Sequence, residues 1–352
     1  MKQFNKLILL SIVTFLTGCN QNATTSNSSS SDSTTTSVDS TTTSIDSSSS
    51  ESSTSTSESS STSTSASESS ASTSESSSTS ISTSESSSSS TSSSTSSSTG
   101  GEIDYEAYDG YYKSATGTKQ TLLQNLRKIT ASGYKSLGYD GLYSAYTKTD
   151  LNEKGYINDY YSNVTSWSAS SMKTCGSYKD EGDCFNREHS IPKSWWGGAK
   201  TNQGCDVYIV VPTDGYVNNR RSAYPFGEVG NVKYASKNNY CLLGDSSISS
   251  YSGKVFEPND EWKGDFARIY FYALARWNNS ENWTSGDGSV VFSGSLSKNC
   301  GLTDYALNLF LKWHDEDPVS EYERVKNAEA FKLQKNRNPF VDFPQFVDSI
   351  WR

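Results

Sequence analysis

Histidine, closely spaced cysteine pairs and basic charge are all scarce in this chain, and each shortage narrows what it can do. Only two histidines occur among 352 residues, His189 and His314. With no Cys-x-x-Cys pair either, a zinc site built from Cys and His ligands is a poor reading. The apolar run at the start, Leu7 to Leu16, is too short to span a bilayer as a mature helix. The formal net charge is −9, so nucleic acid would not be drawn by a globally positive field.

What is present divides the chain unevenly. Residues 1–19 have the form of a signal peptide: Lys2 and Lys6 supply the basic start, and Leu7 to Leu16 the apolar region. The segment ends Leu16-Thr17-Gly18-Cys19, which resembles the bacterial lipobox, and this implies diacylglycerol on the Cys19 thiol. Buried acyl chains would then hold the protein at the outer face of the cytoplasmic membrane. Residues 20–100 are nearly all Ser and Thr with scattered acids, too polar to offset the entropy of ordering, and read as a disordered stalk. About 80 such residues have a root-mean-square span on the order of 50 Å, enough to hold a domain clear of the membrane.

Residues 101–352 remain as the folding part. They hold 28 of the 30 basic side chains and 31 of the 39 acidic ones, a balance near −3. A nucleic-acid ligand would therefore need a local basic stripe, or a metal ion at the site. Five cysteines fall here, Cys175, Cys184, Cys205, Cys241 and Cys300. In an exported domain they allow up to two disulfides with one thiol left over, Cys175 with Cys184 being the one local pairing.

Periodicity gives a coarse layout. Leu122, Leu123, Leu126 and Ile129 recur at helical spacing between Thr118 and Ser132, with Thr118 or Thr121 as cap. Gly133 to Asp159 reads as turns and irregular structure, and Tyr160 to Asp183 as a strand and loop. Cys184 to His189 is a short strand, Val207 to Val211 a second, and Pro212-Thr213-Asp214 a helix start that places Asn218, Arg220 and Arg221 on the helix. Trp262 to Trp277, Leu302 to His314 and Ser320 to Gln334 are helical, and Asn336 to Phe340 breaks the last. Helices at both ends flank a small strand, loop, strand and helix centre, so the class is α+β with few strands.

Hydrolysis of a phosphodiester needs a base to activate water, a cation at the scissile phosphate and positive groups for developing charge. A His, a carboxylate and an Asn with nearby Arg supply these, since imidazole titrates near neutrality and Mg²⁺ is content with few protein oxygens and several waters. Glu188 and His189 are adjacent, however, and adjacent residues on a regular strand face opposite ways. They converge only if the strand ends there, as Pro192 encourages.

The run Asn186-Arg187-Glu188-His189-Ser190-Ile191-Pro192-Lys193-Ser194-Trp195 is followed by Asp206 to Pro212 and by Gly215-Tyr216-Val217-Asn218-Asn219-Arg220-Arg221-Ser222. Together these closely resemble the bacterial secreted endonuclease I family, His-Me finger nucleases with a ββα-metal core. The likeness continues in Phe256-Glu257-Pro258, Lys263 to Arg268, Trp313 to Ser320 and Gln334 to Phe340, and covers roughly residues 105–352.

Carried across position by position, the resemblance implies that His189 is the general base, aimed by a hydrogen bond from its other ring nitrogen to a backbone carbonyl. It implies Glu188 and Asn218 as ligands of a divalent ion, Mg²⁺ or else Mn²⁺ or Ca²⁺. Arg221 is implied near the phosphate, with Arg220 as a further substrate contact and products carrying 5′-phosphates. Two departures stand out. Tyr208 and Ile209 occupy positions where the family usually has histidines, so supporting roles should change there. Where some members place an Arg from the loop between the strands, this chain offers only Lys200.

The expected protein is a monomeric, metal-dependent endonuclease of low sequence specificity, lipid-anchored outside the cell and acting on DNA, with RNA left open. The alternative is a noncatalytic surface protein that binds DNA or another ligand on a nuclease scaffold. Trp195 and Trp196 read as packing rather than base-stacking platforms, His314 as structural, and Arg268 and Arg337 as members of buried ion pairs as readily as DNA contacts.

Overall fold

The computed structural model describes residues 104–171, 174–277 and 283–352; the leader, its Cys19 and the Ser/Thr tract lie outside the described residues. In chain order it contains α1 (Ala107–Gly110), α2 (Lys119–Ala131), α3 (Gly141–Thr149), β1 (Phe185–His189), β2 (Val210–Asp214), α4 (Gly215–Arg221), β3 (Val229–Ala235), β4 (Leu242–Ser246) and β5 (Lys254–Glu257). The C-terminal part adds α5 (Lys263–Trp277), α6 (Gly288–Val291), α7 (Asp304–Glu316), α8 (Glu321–Gln334), α9 (Pro339–Asp342) and α10 (Phe346–Trp351). The antiparallel pair β1-β2 forms one sheet and the antiparallel meander β3-β4-β5 another, so helices and small sheets mix as α+β. Among the described residues no helix is long and apolar enough to cross a membrane.

Helix α5 is the centre of the core. Its residues Lys263 to Arg276 are all buried, as expected of a helix covered on every side. Apolar side chains such as Phe266, Tyr270 and Phe271 meet rings from Phe226, Phe310, Phe340 and Trp351. Arg268 makes a two-pronged pair with Glu323 at 2.6 and 2.7 Å, and Arg337 makes a similar pair with Asp342 at 2.5 and 2.7 Å. These two arginines are thus struts of the core.

Most strongly periodic segments form the expected elements. Helix α2 starts one residue after Thr118, which sits at the N-cap position without a side-chain capping bond. Ser320 caps α8 reciprocally with Glu323, and Lys335 in a left-handed conformation ends it before Pro339.

Four expectations need correction. Residues 141–149, read as irregular, form α3, because Leu142, Ala145, Tyr146 and Thr149 place one buried face at helical spacing despite the Gly- and Tyr-rich composition. Tyr160 to Asp183 holds isolated bridges rather than a strand among the described residues. The second strand starts at Val210 rather than Val207, because Asp206 turns the chain: its side chain accepts from Tyr208 N and its carbonyl from Ile209 N. Pro212 and Thr213 accordingly belong to β2, and Asp214 alone starts the helix. The meander β3-β4-β5 was not foreseen; β3 is mostly exposed and its register against β4 shifts twice, which blurs alternation.

Cys175 and Cys184 form a disulfide, the one local pairing, and Cys205, Cys241 and Cys300 are buried thiols, so the described residues hold one bridge, within the two the cysteine count allows. The bridge lies against the first residue of α4. A Cβ on Gly215 would sit 2.1 Å from Cys175 Sγ, so only glycine admits this close approach of helix and disulfide.

Candidate active site

Strand β1 ends at the residues of interest, with Glu188 opposite Val211 and His189 opposite Val210. Strand β2 passes directly into α4 through Asp214, whose Oδ1 accepts from Val217 N at 2.9 Å and so caps the helix. Asp214 N in turn donates to Asp159 Oδ1 at 2.8 Å, fixing the corner to the preceding loop. Two strands and a short helix therefore bring residues 188–189 against 218–221.

They meet at a cavity of about 330 Å³ whose wall includes Glu188, His189, Asn218 and Arg221. The parity problem is solved because the strand stops at His189. Ser190 keeps one backbone bond to Ile209, and the chain then turns through Pro192 into the single turn Lys193–Trp195. Lys193, Ser194, Asn219 and Ser222 on the same wall are exposed, so the cavity opens to solvent.

Arg221 is wholly buried, and its guanidinium ties the strand end together. Nη1 donates to Glu188 Oε1 at 2.6 Å and to the His189 carbonyl at 3.0 Å, while Nη2 donates to the Ser190 carbonyl at 2.7 Å. Glu188 Oε1 also accepts from the Tyr161 hydroxyl at 3.0 Å. Burial pushes the Glu188 carboxyl up from its ordinary value, and Arg221 and Tyr161 oppose that shift. Both protein donors fall on Oε1. Among the described residues none reaches Oε2, the oxygen left for the cavity.

His189 is 5 % exposed and stacks beside Tyr139, with ring centroids 5.7 Å apart and planes 19° off parallel; Trp196 meets it edge-on. Its Nε2 lies 3.3 Å from the Gly204 carbonyl. A carbonyl can only accept, so Nε2 carries the proton and Nδ1 keeps its lone pair. Burial, reinforced by the Lys193 cation, lowers the imidazole pKa to about 4, which favours the neutral ring at pH 7.

Asn218 is half-buried on the cavity face of α4. Lys200 and Arg220 are exposed and do not line the cavity; Arg220 folds over Tyr216 and donates to its hydroxyl. Trp195 and Trp196 are buried and act in packing. Tyr208, one of the two departures from the family pattern, is a buried strut. Its hydroxyl donates to Asn327 Oδ1 at 2.5 Å, with the Asn336 carbonyl at 3.1 Å.

Tyr139, Tyr161, Lys193 and Gly204 are site residues that reading the sequence missed. Lys193 lay inside the matched run and could have been found there. The other three come from segments that no local pattern connects to β1.

Among the described residues no group of three or more His, Cys, Asp or Glu side chains could hold a metal ion. The pair Glu188 and Asn218 is a smaller donor set, one carboxylate oxygen and one amide oxygen on one wall. That chemistry suits a hard divalent ion that keeps several waters.

The profile of the family described as Endonuclease I matches residues 118–345, and the chain belongs to that family. It is a nuclease, a hydrolase of nucleic acid. Among curated proteins it is similar to the extracellular ribonuclease of Bacillus amyloliquefaciens, at 31 % identity over 68 % of this chain and 78 % of that one. The extracellular ribonuclease of Bacillus subtilis (strain 168) is 31 % identical over 70 % and 80 % of the two chains. Endonuclease-1 of Buchnera aphidicola subsp. Baizongia pistaciae is 26 % identical over 39 % and 45 %.

Proposed function

We propose that the chain is an extracellular, metal-dependent endonuclease of low sequence specificity, with a His-Me finger core made by β1, β2 and α4. The observation that carries this reading is the bond from His189 Nε2 to the Gly204 carbonyl, which leaves Nδ1 as a base beside Glu188 and Asn218. Nδ1 takes the proton of an attacking water, and the tautomer is set before substrate arrives. Glu188 and Asn218 are the residues that would hold Mg²⁺ or a similar ion. When bound, such an ion supplies Lewis-acid stabilisation of charge on the scissile phosphate and leaving oxygen. Products would carry 5′-phosphates.

Arg221 takes a narrower role than a direct phosphate contact. With its two terminal nitrogens committed to Glu188 and two carbonyls, it aims the carboxylate and holds the strand end. Lys193, exposed on the cavity wall, is better placed than Lys200 to meet a phosphate.

DNA and RNA are both substrates in this proposal, because phosphate-directed contacts carry no base information and the two Bacillus relatives are named ribonucleases. Residues 101–352 form the nuclease domain, acting as a monomer. Residues 20–100 are its stalk, and Cys19 carries the lipid that anchors it to the bacterial membrane.

Incubating the full chain with plasmid DNA or total RNA and Mg²⁺, with and without chelator and beside His189→Ala, tests the central claim. Cutting that needs both the metal and His189 is expected; a mutant that cuts as fast as the wild type sinks the base assignment. No cutting by the wild type would favour the noncatalytic binding alternative. Labelling with a radioactive fatty acid, lost in Cys19→Ala, tests the anchor.

A further inference from the structure

Beyond the cavity, the solvent face of α4 carries a run of aromatic rings and one cation that the proposed chemistry does not use. Tyr178 lines the cavity and meets Tyr216 edge-on, with ring centroids 6.5 Å apart. Tyr216 meets Tyr234 of β3 at 6.4 Å. The Arg220 guanidinium carbon lies 4.7 Å above the Tyr216 ring and 5.6 Å from that of Tyr234. The rings are half-buried and therefore braced, while the guanidinium is exposed. Among the described residues no carboxylate pairs with it; its polar neighbours are the two tyrosines.

A second stack of the same kind gives a contrast. Arg187 lies 3.5 Å from the Tyr139 centroid and 4.1 Å from that of Tyr143, but it also donates to Asp140 and to the Tyr139 carbonyl. Its charge is paired with Asp140, and Nη1 serves both acceptors. Arg220 keeps an outer planar face and donors directed to solvent, next to a cavity built for a phosphodiester.

We infer that Tyr178, Tyr216 and Arg220, braced by Tyr234, form a base-stacking platform that selects unpaired nucleotides adjoining the scissile phosphate. The inference rests on the nuclease reading and extends it to substrate class. Aromatic rings and guanidinium planes accept any base by its face, so such a platform binds without reading sequence. Bases inside a duplex are already stacked on one another and cannot reach it. Single-stranded or locally opened nucleic acid is therefore the favoured substrate.

The test measures kcat and KM of the full chain with Mg²⁺ on a short single strand, on an all-abasic strand of equal length, and on the corresponding duplex. The wild type should favour the intact strand over the abasic one by a factor of about five to a hundred, expressed in KM. Tyr178→Ala and Tyr216→Ala should shrink that preference, with a smaller loss on the abasic strand than on the intact one. Tyr216→Phe, which keeps the ring, should retain it. The abasic rate also reports whether a variant is folded. Equal cutting of intact and abasic strands by the wild type overturns the platform while leaving the nuclease reading intact, as does full preference in both Ala variants. A wild type that cuts none of the three removes both.

Discussion

Of the buried arginine–carboxylate pairs among the described residues, Arg268–Glu323 and Arg221–Glu188 differ in one oxygen. In the helical body Arg268 takes both oxygens of Glu323, with Nη1 also donating to the Asp317 carbonyl. That pair is closed. At the end of β1, Arg221 takes only Oε1 of Glu188, while Nη1 and Nη2 also donate to the His189 and Ser190 carbonyls. The second pair leaves Oε2 facing a solvent-open cavity beside Asn218 and His189. The same chemical couple serves as a strut where it is complete and, in the proposed site, as a positioned ligand where it is left open.

The comparison can be broken most severely at the open pair. His189→Ala should lower kcat by about 10²- to 10⁴-fold with thermal unfolding nearly unchanged. Glu188→Gln, with its shape retained, should lower kcat as far and also lower the unfolding midpoint, because it leaves the buried Arg221 without its counter-charge. A Glu188→Gln protein with normal turnover would mean that the open oxygen is not used.

The closed pair should respond in stability. Arg268→Ala leaves the Glu323 carboxylate buried without its partner and should cost about 3–5 kcal/mol in denaturant unfolding, while kcat per folded molecule is kept. Loss of turnover without loss of stability would reverse the assignment.

Arg221→Lys separates charge from geometry, because lysine cannot span one carboxylate and two carbonyls as a planar fork. Activity should fall about 10- to 100-fold, recovered in part by excess metal ion. A purely structural Arg221 would instead lower the unfolding midpoint and leave turnover alone.

The smallest effect concerns pH around the closed pair. His314 Nδ1 lies 3.4 Å from Arg268 Nη1, and burial followed by this cation lowers its pKa to about 4. A depressed histidine stabilises the fold above its ordinary value near 6.5, and that contribution fades as pH falls toward 4. Asp317 nearby is raised to about 6 by burial and acts in the opposite sense. The informative quantity is therefore the difference between wild type and His314→Gln, whose stability should decline less between pH 6.5 and pH 4.

Much of this fold is legible in the sequence. The helical repeats at 122–129, 262–277, 302–314 and 320–334 became α2, α5, α7 and α8, because each needs only its own apolar period to declare itself. The strand before Ser190 and the helix after Asp214 were equally plain. Helix α3 and the β3-β4-β5 meander were not, since Gly and Tyr mask the first and an exposed, twice-shifted register masks the second.

The sequence by itself determined that Glu188, His189 and Asn218 are available in a matched order, and that two histidines leave one credible base. Only the tertiary structure decided how they are arranged around one cavity. Termination of β1 cancels the strand parity that would part Glu188 from His189. The Gly204 carbonyl, fifteen residues downstream of His189, sets which ring nitrogen is free. Tyr161 and Arg221 claim one oxygen of Glu188 and not the other. Which atom of a side chain stays open depends on groups brought from distant segments, and no local pattern encodes those distances.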